Sequence, residues 1–406
     1  MLLIITLLSF IILITEIIIL IVNPECMHWV FHTLLLLTGI IGTIITVIKC
    51  KRNYNHNMKV EYEELGNTNL KNKNYSQAYN YFLKASNLGS IYAKYKIGYM
   101  YDNGLGFKQN YNQAYLWYLQ AAKLGYGRAQ NAVGNMLQNG DGVEENVSKA
   151  LDWYILAVEQ GVTLAKDNIE LIKNKFDHKK IYEKAADYYY GDGVEVNKTK
   201  AFALMKKAAY LGNVDAKKYL GYLYENGEGT FTDYEKAFKF YLESAKLNDP
   251  YSINAVGNFY QLGQGVEKNY IEAKKWYEKG IKLGSAASYA NLGDMYYNGY
   301  GVPIDYKKAF NNYLTASEKE LETAYFLVGF CYVNEKGVSK NYSKAVYWFK
   351  KGVEQNDADC QYGLGYCHYY GYGVPKDKVK AKKYLELSAE QNNKNAIEFL
   401  NDYFKN

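Results

Sequence analysis

The stretch NGYGVPIDYKKAF, residues 298–310, sets two glycines around one residue, ahead of a short polar segment and two lysines. A loop of this kind could cradle a phosphate through successive backbone N–H groups. That chemistry requires a preceding strand and the spacing G-x-x-x-x-G-K-[ST] at a helix N-terminus. Neither is present. A second candidate lies near the start of the chain, where CMHWVFH places His28 and His32 four apart on one helical face, near Cys26. Such a set could bind a metal or a haem. Glu16 is a third candidate, because a carboxylate inside a long apolar run is costly and usually has a partner or a task. His32 lies at a similar depth and could hydrogen-bond to it. His178 and His368 are isolated, and the rest of the chain holds no metal-spaced set or nucleophile elbow. The chain is therefore expected to be no enzyme and to need no cofactor.

The elements behind these residues explain the glycines. The first glycine of the pair falls at Gly104, Gly140, Gly191, Gly227, Gly263, Gly299 and Gly371, with Glu335 in the equivalent place; the second runs from Gly106 to Gly373. The spacing is 36 residues throughout, apart from one step of 51. A period of this size signals stacked supersecondary units, so the loop is a period marker and not a phosphate site. Six residues after the first glycine stands an Asn or Asp in every unit, including Asn110, Asn146, Asp305 and Asp377. These residues can accept the orphan N–H groups of a helix's first turn, so each is expected to open a second helix. Asn74, Asn146, Asn197 and Asn341 also begin N-x-[ST] sequons, and capping accounts for all four. Small residues recur in mid-helix, at Gly98, Gly134 and Ala150 for example, with large rings in between, at Trp153, Tyr154, Trp276 and Tyr277. That alternation is a packing pattern.

Each unit thus reads as helix A, a turn carrying G-x-G-V, and helix B ending near a glycine such as Gly125, Gly161, Gly212 or Gly284. The fold class expected is all-α, a solenoid of about nine helix-turn-helix repeats. Residues 62–86, with Gly66, Ala78, Phe82 and Ala85, form a shorter opening unit that resembles an ordinary tetratricopeptide repeat and is expected to cap the array. The 51-residue step adds one lone helix over about 162–177, with Leu164, Ile169, Ile172 and Phe176 as its apolar residues, and residues 394–404 read as a closing helix without a partner.

The amino end differs in kind. Residues 1–22 are apolar over a length that spans about 30 Å at 1.5 Å per residue, and a second apolar run covers 29–48. Two membrane-crossing helices joined by a tight turn are expected before the solenoid. Lys49, Lys51, Arg52 and Lys59 follow directly, in a basic linker over 51–59, whereas the turn carries only Glu25. This asymmetry puts both termini and the repeats in the cytoplasm. Thr38, Gly42 and Thr46 make a small-residue stripe suited to contact within the hairpin or between copies of the chain.

Composition fits this picture. Apolar residues make up 49% of the 406, proline is rare at four, and tyrosine is abundant at 45. Rings with one polar end suit a helical array. The net charge of +6 is scattered, so a nucleic-acid footprint, which clusters Lys and Arg on one face, is not expected. Five cysteines form no paired framework; Cys360 and Cys367, two helical turns apart, cannot bridge, and the late cysteines read as small buried residues of a reducing compartment.

The repeat pattern resembles the Sel-one-like repeat, a relative of the tetratricopeptide repeat. Ala129, Gly134, Gly140, Gly142, Val143, Lys149, Ala150, Trp153, Tyr154, Ala157 and Gly161 carry the resemblance in one unit. It implies an interaction scaffold or adaptor, with proteins or peptides as partners. In related arrays one set of A-helix positions lines a concave groove. Projected onto this chain, the set includes Tyr95, Asn131, Tyr182, Asn254 and Tyr362, and four residues on Tyr99, Asn135, Tyr222, Asn258 and Tyr366. Asn amides and Tyr rings suit an extended peptide backbone. The alternative is the exported, cysteine-rich branch of the same family, with an enzyme-like or cell-wall, β-lactam-binding role. That branch carries a cysteine pair in each repeat, and this chain does not.

Overall fold

The computed structural model describes residues 27–404, with side chains for 38–404. The first apolar run, the proposed turn, Glu16, His28 and His32 lie outside the residues whose side chains are described. Two compact units divide the chain, residues 27–172 and 173–404. Each is a stack of antiparallel helix pairs.

The first unit contains α1 (Met27–Lys71), α2 (Tyr75–Asn87), α3 (Ile91–Asn103), α4 (Tyr111–Lys123), α5 (Gly127–Asn139), α6 (Val147–Glu159) and α7 (Leu164–Ile172). Residues 51–59, expected as a linker, continue α1 without interruption, because KRNYNHNMK contains no Gly or Pro to break it. Among the described residues no helix is long and apolar enough to cross a membrane.

The second unit begins with a 3-10 turn and continues through α8 (His178–Tyr190), α9 (Lys198–Tyr210), α10 (Val214–Asn226), α11 (Tyr234–Lys246), α12 (Pro250–Leu262) and α13 (Tyr270–Lys282). It ends with α14 (Ala286–Asn298), α15 (Tyr306–Glu318), α16 (Glu322–Asn334), α17 (Tyr342–Glu354), α18 (Ala358–Tyr370), α19 (Lys378–Glu390) and α20 (Lys394–Phe404).

Local chemistry sets the helix ends. Asn110, Asn146, Asn197, Asp233, Asp305, Asn341 and Asp377 each accept a hydrogen bond from the backbone N–H three residues on, as Asn269 does from Glu272. The same residue donates its own N–H to a carbonyl nine residues back on helix A, as in Asn146 to Leu137 at 2.7 Å and Asp305 to Tyr296 at 2.9 Å. One residue therefore starts helix B and fastens the turn to helix A. Asn74 departs from this: it occupies the cap position of α2 without a capping side-chain bond.

Helix A ends at the first glycine, which sits in the left-handed region; Glu335 takes the same conformation at φ 60°. The second glycine serves packing between repeats. A Cβ on Gly337 would lie 1.9 Å from the Tyr306 carbonyl oxygen, and one on Gly265 2.1 Å from that of Tyr234. Gly193, in the first repeat of the second unit, has no B helix before it in that unit, and a Cβ there would meet no atom within 4 Å.

Inside each repeat, the mid-helix glycine of A receives a ring from B. Gly134 faces Tyr154, Gly257 faces Tyr277, Gly293 faces Tyr313 and Gly329 faces Phe349, all at distances no side chain would allow. Tyr154, Tyr241, Tyr277 and Tyr313 are among the largest fully buried side chains.

The lone helix of the long step is α7, and it has a definite place. It packs on α6 and α5 as the A helix of a further repeat would, with Ala165, Ile169 and Ile172 buried, but no B helix follows within its unit. Leu164, one of the four apolar residues that suggested this helix, is 56% exposed, and Phe176, another, lies beyond the helix end at Ile172.

Candidate functional site

Buried tyrosines need partners for their hydroxyls, and the A helices supply them. Tyr154 Oη lies 2.8 Å from both Asn135 Oδ1 and Gln138 Oε1, and Tyr277 Oη lies 2.7 Å from Asn258 Oδ1 and 3.0 Å from Gln261 Oε1. Asn168 Nδ2, on α7, donates to Asn131 Oδ1 at 2.9 Å and Asn135 Oδ1 at 3.0 Å. Asn291 Nδ2, on α14, donates in the same way to Asn254 and Asn258, both at 2.9 Å. These are two copies of one polar rung. Burial drives the phenol pKa of Tyr154 and Tyr277 upward, so both remain neutral donors.

This changes the role of four predicted groove residues. Asn131, Asn135, Asn254 and Asn258 were expected to offer whole amides to a peptide. Their carbonyl oxygens are instead engaged within the chain, and Asn131 is only 6% exposed. What each retains for a ligand is its Nδ2 donor.

The first unit brings its four candidates together. Tyr95 and Tyr99 of α3 and Asn131 and Asn135 of α5 line one cleft of about 840 Å³, with Asp102, Tyr126, Arg128 and Leu164 among its other walls. The Tyr95 ring lies 5.5 Å from that of Tyr118 and 5.2 Å from that of Tyr126. Burial raises the Tyr95 phenol pKa and the nearby Arg128 guanidinium opposes that rise. Asp102 accepts from the Tyr118 hydroxyl at 3.2 Å, and burial lifts its carboxyl above the ordinary range.

The second unit distributes its candidates. Tyr222 joins Tyr189, Tyr190, Lys218, Tyr219 and Tyr251 around a cleft of about 470 Å³. Tyr182 packs its ring 6.0 Å from Tyr219. Tyr362 and Tyr366 line a third cleft, of about 330 Å³, with Phe326, Phe330 and Phe349, and both rings also contact Phe399 of α20.

Sequence reasoning missed Arg128, Asn168 and Asn291. A signal existed for each. Arg128 is the sole arginine after Arg52, and the series Asn131, Asn135, Gln138, Tyr154, Asn168 recurs in the same order and spacing as Asn254, Asn258, Gln261, Tyr277, Asn291.

Among the described residues no group of three His, Cys, Asp or Glu side chains is placed to hold a metal ion. Cys331, Cys360 and Cys367 are free and buried, and burial pushes the Cys331 and Cys367 thiols up to about 12.

The Sel1 repeat family model matches nine segments: residues 66–90, 91–126, 127–162, 184–213, 214–249, 250–285, 286–321, 323–357 and 358–393. A Sel1 repeat protein from Oxalobacter formigenes is 24% identical, over 79% of this chain and 88% of its own, with a TM-score of 0.51. A protective antigen of uropathogenic Escherichia coli that displays an SLR fold is 29% identical over 78% of this chain, with a TM-score of 0.45. The chain spans 65% of that antigen's length. Cysteine rich protein B of Helicobacter pylori is 28% identical over 36% of this chain and 92% of its own, with a TM-score of 0.23. No functionally curated protein matches the sequence. The chain belongs to the Sel1 repeat family, and its fold is an all-α repeat solenoid.

Proposed function

We propose that this Sel1 repeat protein is a membrane-tethered adaptor whose A-helix faces hold extended segments of partner proteins. The observation that carries the groove assignment is the first-unit cleft. Residues chosen for their repeat position alone, Tyr95, Tyr99, Asn131 and Asn135, converge there from successive A helices. Tyr rings give broad contact area and the Asn Nδ2 groups can bind backbone carbonyls, the chemistry by which helical grooves hold peptides.

The tether rests on α1. Ile40, Ile44, Ile45, Val47 and Ile48 are exposed, Val47 to 65%, on a helix that then turns cationic at Lys49, Lys51, Arg52 and Lys59. An apolar surface followed by a basic collar suits a bilayer with its anionic face on the cytosolic side. The uncovered Gly42 leaves room for a second copy of α1 beside it. The exported, cysteine-rich alternative draws no support from Cys331, Cys360 and Cys367, which are unpaired.

Two measurements test this reading. Co-purification from membranes should lose partners when Tyr95 and Tyr99 are both changed to Ala, and keep them when Phe231, 92% exposed on a loop, is changed instead. An unchanged partner set would remove the groove assignment. For orientation, Cys50 is the exposed thiol among the described cysteines. In a Cys26→Ser background, an impermeant thiol reagent should modify Cys50 only in opened cells; labelling of sealed cells sinks the cytosolic orientation.

A further inference from the structure

We infer that the first-unit cleft selects an extended peptide carrying a carboxylate side chain, anchored by Arg128. This rests on the groove reading above and names the partner's chemistry.

Charge is the first argument. Arg128 is the second residue of α5, exposed, and lines the cleft. No ion pair to it occurs among the described residues. The cation of the second unit's tyrosine cleft is already neutralised: Lys218 Nζ lies 3.0 Å from Asp215 and 3.8 Å from Asp249. Of the two clefts, only the one in the first unit presents a cation with a charge still to satisfy.

Hydrogen-bonding polarity is the second. The rung from Asn168 engages the Oδ1 atoms of Asn131 and Asn135, so these side chains turn donors to the cleft. Arg128 offers only donors as well. A surface biased toward donors is complemented by acceptors, which are the carboxylate oxygens and the backbone carbonyls of an extended segment.

Charge number is the third. One guanidinium forms a planar, two-pronged contact with one carboxylate. The only carboxyl lining the cleft, Asp102, opposes any second negative charge, so a singly charged carboxylate fits better than a doubly charged phosphate. The rings of Tyr95 and Tyr126, 5.2 Å apart, line the same cleft as the arginine and offer apolar area to the methylene part of an Asp or Glu side chain.

The test selects phage-displayed short random peptides on the full chain in detergent. Wild type should enrich Asp- and Glu-bearing sequences, and a recovered peptide should bind about tenfold more tightly than its Asn or Gln copy. Arg128→Glu should reverse the preference toward Lys and Arg, and Arg128→Lys should keep the sign at lower affinity. If Arg128→Glu enriches the same residues as wild type, or a phosphoserine copy outbinds the carboxylate peptide, the assignment is overturned. In that event, continued loss of binding in the Tyr95→Ala, Tyr99→Ala chain would leave the groove reading standing. Peptides that bind this double variant unchanged, or no enrichment by a chain shown folded by circular dichroism, would overturn both.

Discussion

The two asparagine rungs are the same arrangement reached from different neighbours. In the first unit Asn168 comes from α7, which no B helix follows within that unit; in the second, Asn291 comes from α14, which α15 covers through the ring of Tyr313 against Gly293. The A helix alone therefore suffices to complete the hydrogen bonds of the repeat before it. What the B helix adds is burial. Within its unit α7 has no such helix: Leu164 and Leu171 are exposed, and its first turn lines the cleft of about 840 Å³. The insertion is a terminal A helix without a B helix at the end of the first unit, as α20 is at the end of the second.

The largest expected effect sharpens the contrast between covered and uncovered repeats. Gly337→Ala puts a Cβ 1.9 Å from a backbone oxygen at φ +74°, whereas Gly193→Ala meets no atom at φ +68°. The first should cost about 3–5 kcal/mol and the second about 1–2 kcal/mol, the left-handed penalty alone. Urea unfolding, with hydrogen exchange to localise the loss, measures both; equal costs would mean that repeat contact is not what the second glycine serves.

The rungs themselves come next. Asn168→Ala and Asn291→Ala each remove two hydrogen bonds, worth about 1–3 kcal/mol together. Amide exchange in α7 should accelerate markedly, while α14 stays protected, because Asp305 N–H still holds Tyr296 and α15 still covers it. Equal acceleration would break the comparison.

The smallest effect is a pH dependence of opposite sign in two kinds of aspartate. Burial raises the Asp294 carboxyl above its ordinary value, a rise that the Tyr313 hydroxyl bond at 2.7 Å only partly offsets. Its folded form favours the proton, so stability falls as pH rises from the ordinary carboxylate value through the raised one. The caps Asp305 and Asp377 are lowered, first by backbone N–H bonds, so their contribution is present above the ordinary value and is lost as pH falls below it. Asp294→Asn should flatten the first slope and Asp305→Asn the second, read from unfolding midpoints across acid pH. A neutral-pH destabilisation by Asp294→Asn larger than that at acid pH would reverse the assignment.

Much of the fold was legible in the sequence because its causes are local. A cap needs only an Asn or Asp and the next three residues, and a left-handed turn needs only a glycine, so a single repeat states its own helix boundaries. The tyrosine columns were legible too, since a ring and the glycine it fills keep a fixed offset within each repeat. The candidate site was half legible. Repeat phase singled out Tyr95, Tyr99, Asn131 and Asn135, which line one cleft, but not what their polar atoms were doing.

That part depends on residues a whole repeat away. Whether Asn131 serves a ligand or the core is decided by Asn168, on a helix that interrupts the period. Whether Arg128 is ion-paired is decided by which carboxylates come within reach of its guanidinium, and Asp102, which lines the same cleft, is bonded to the Tyr118 hydroxyl instead. By itself the sequence determined the repeat, its caps and its turns, since these follow from backbone conformation and nearest neighbours. Only tertiary structure decided which amides were spent internally, which residues of successive A helices line one cleft, and which cations are ion-paired, because hydrogen-bond saturation and charge pairing depend on what stands opposite.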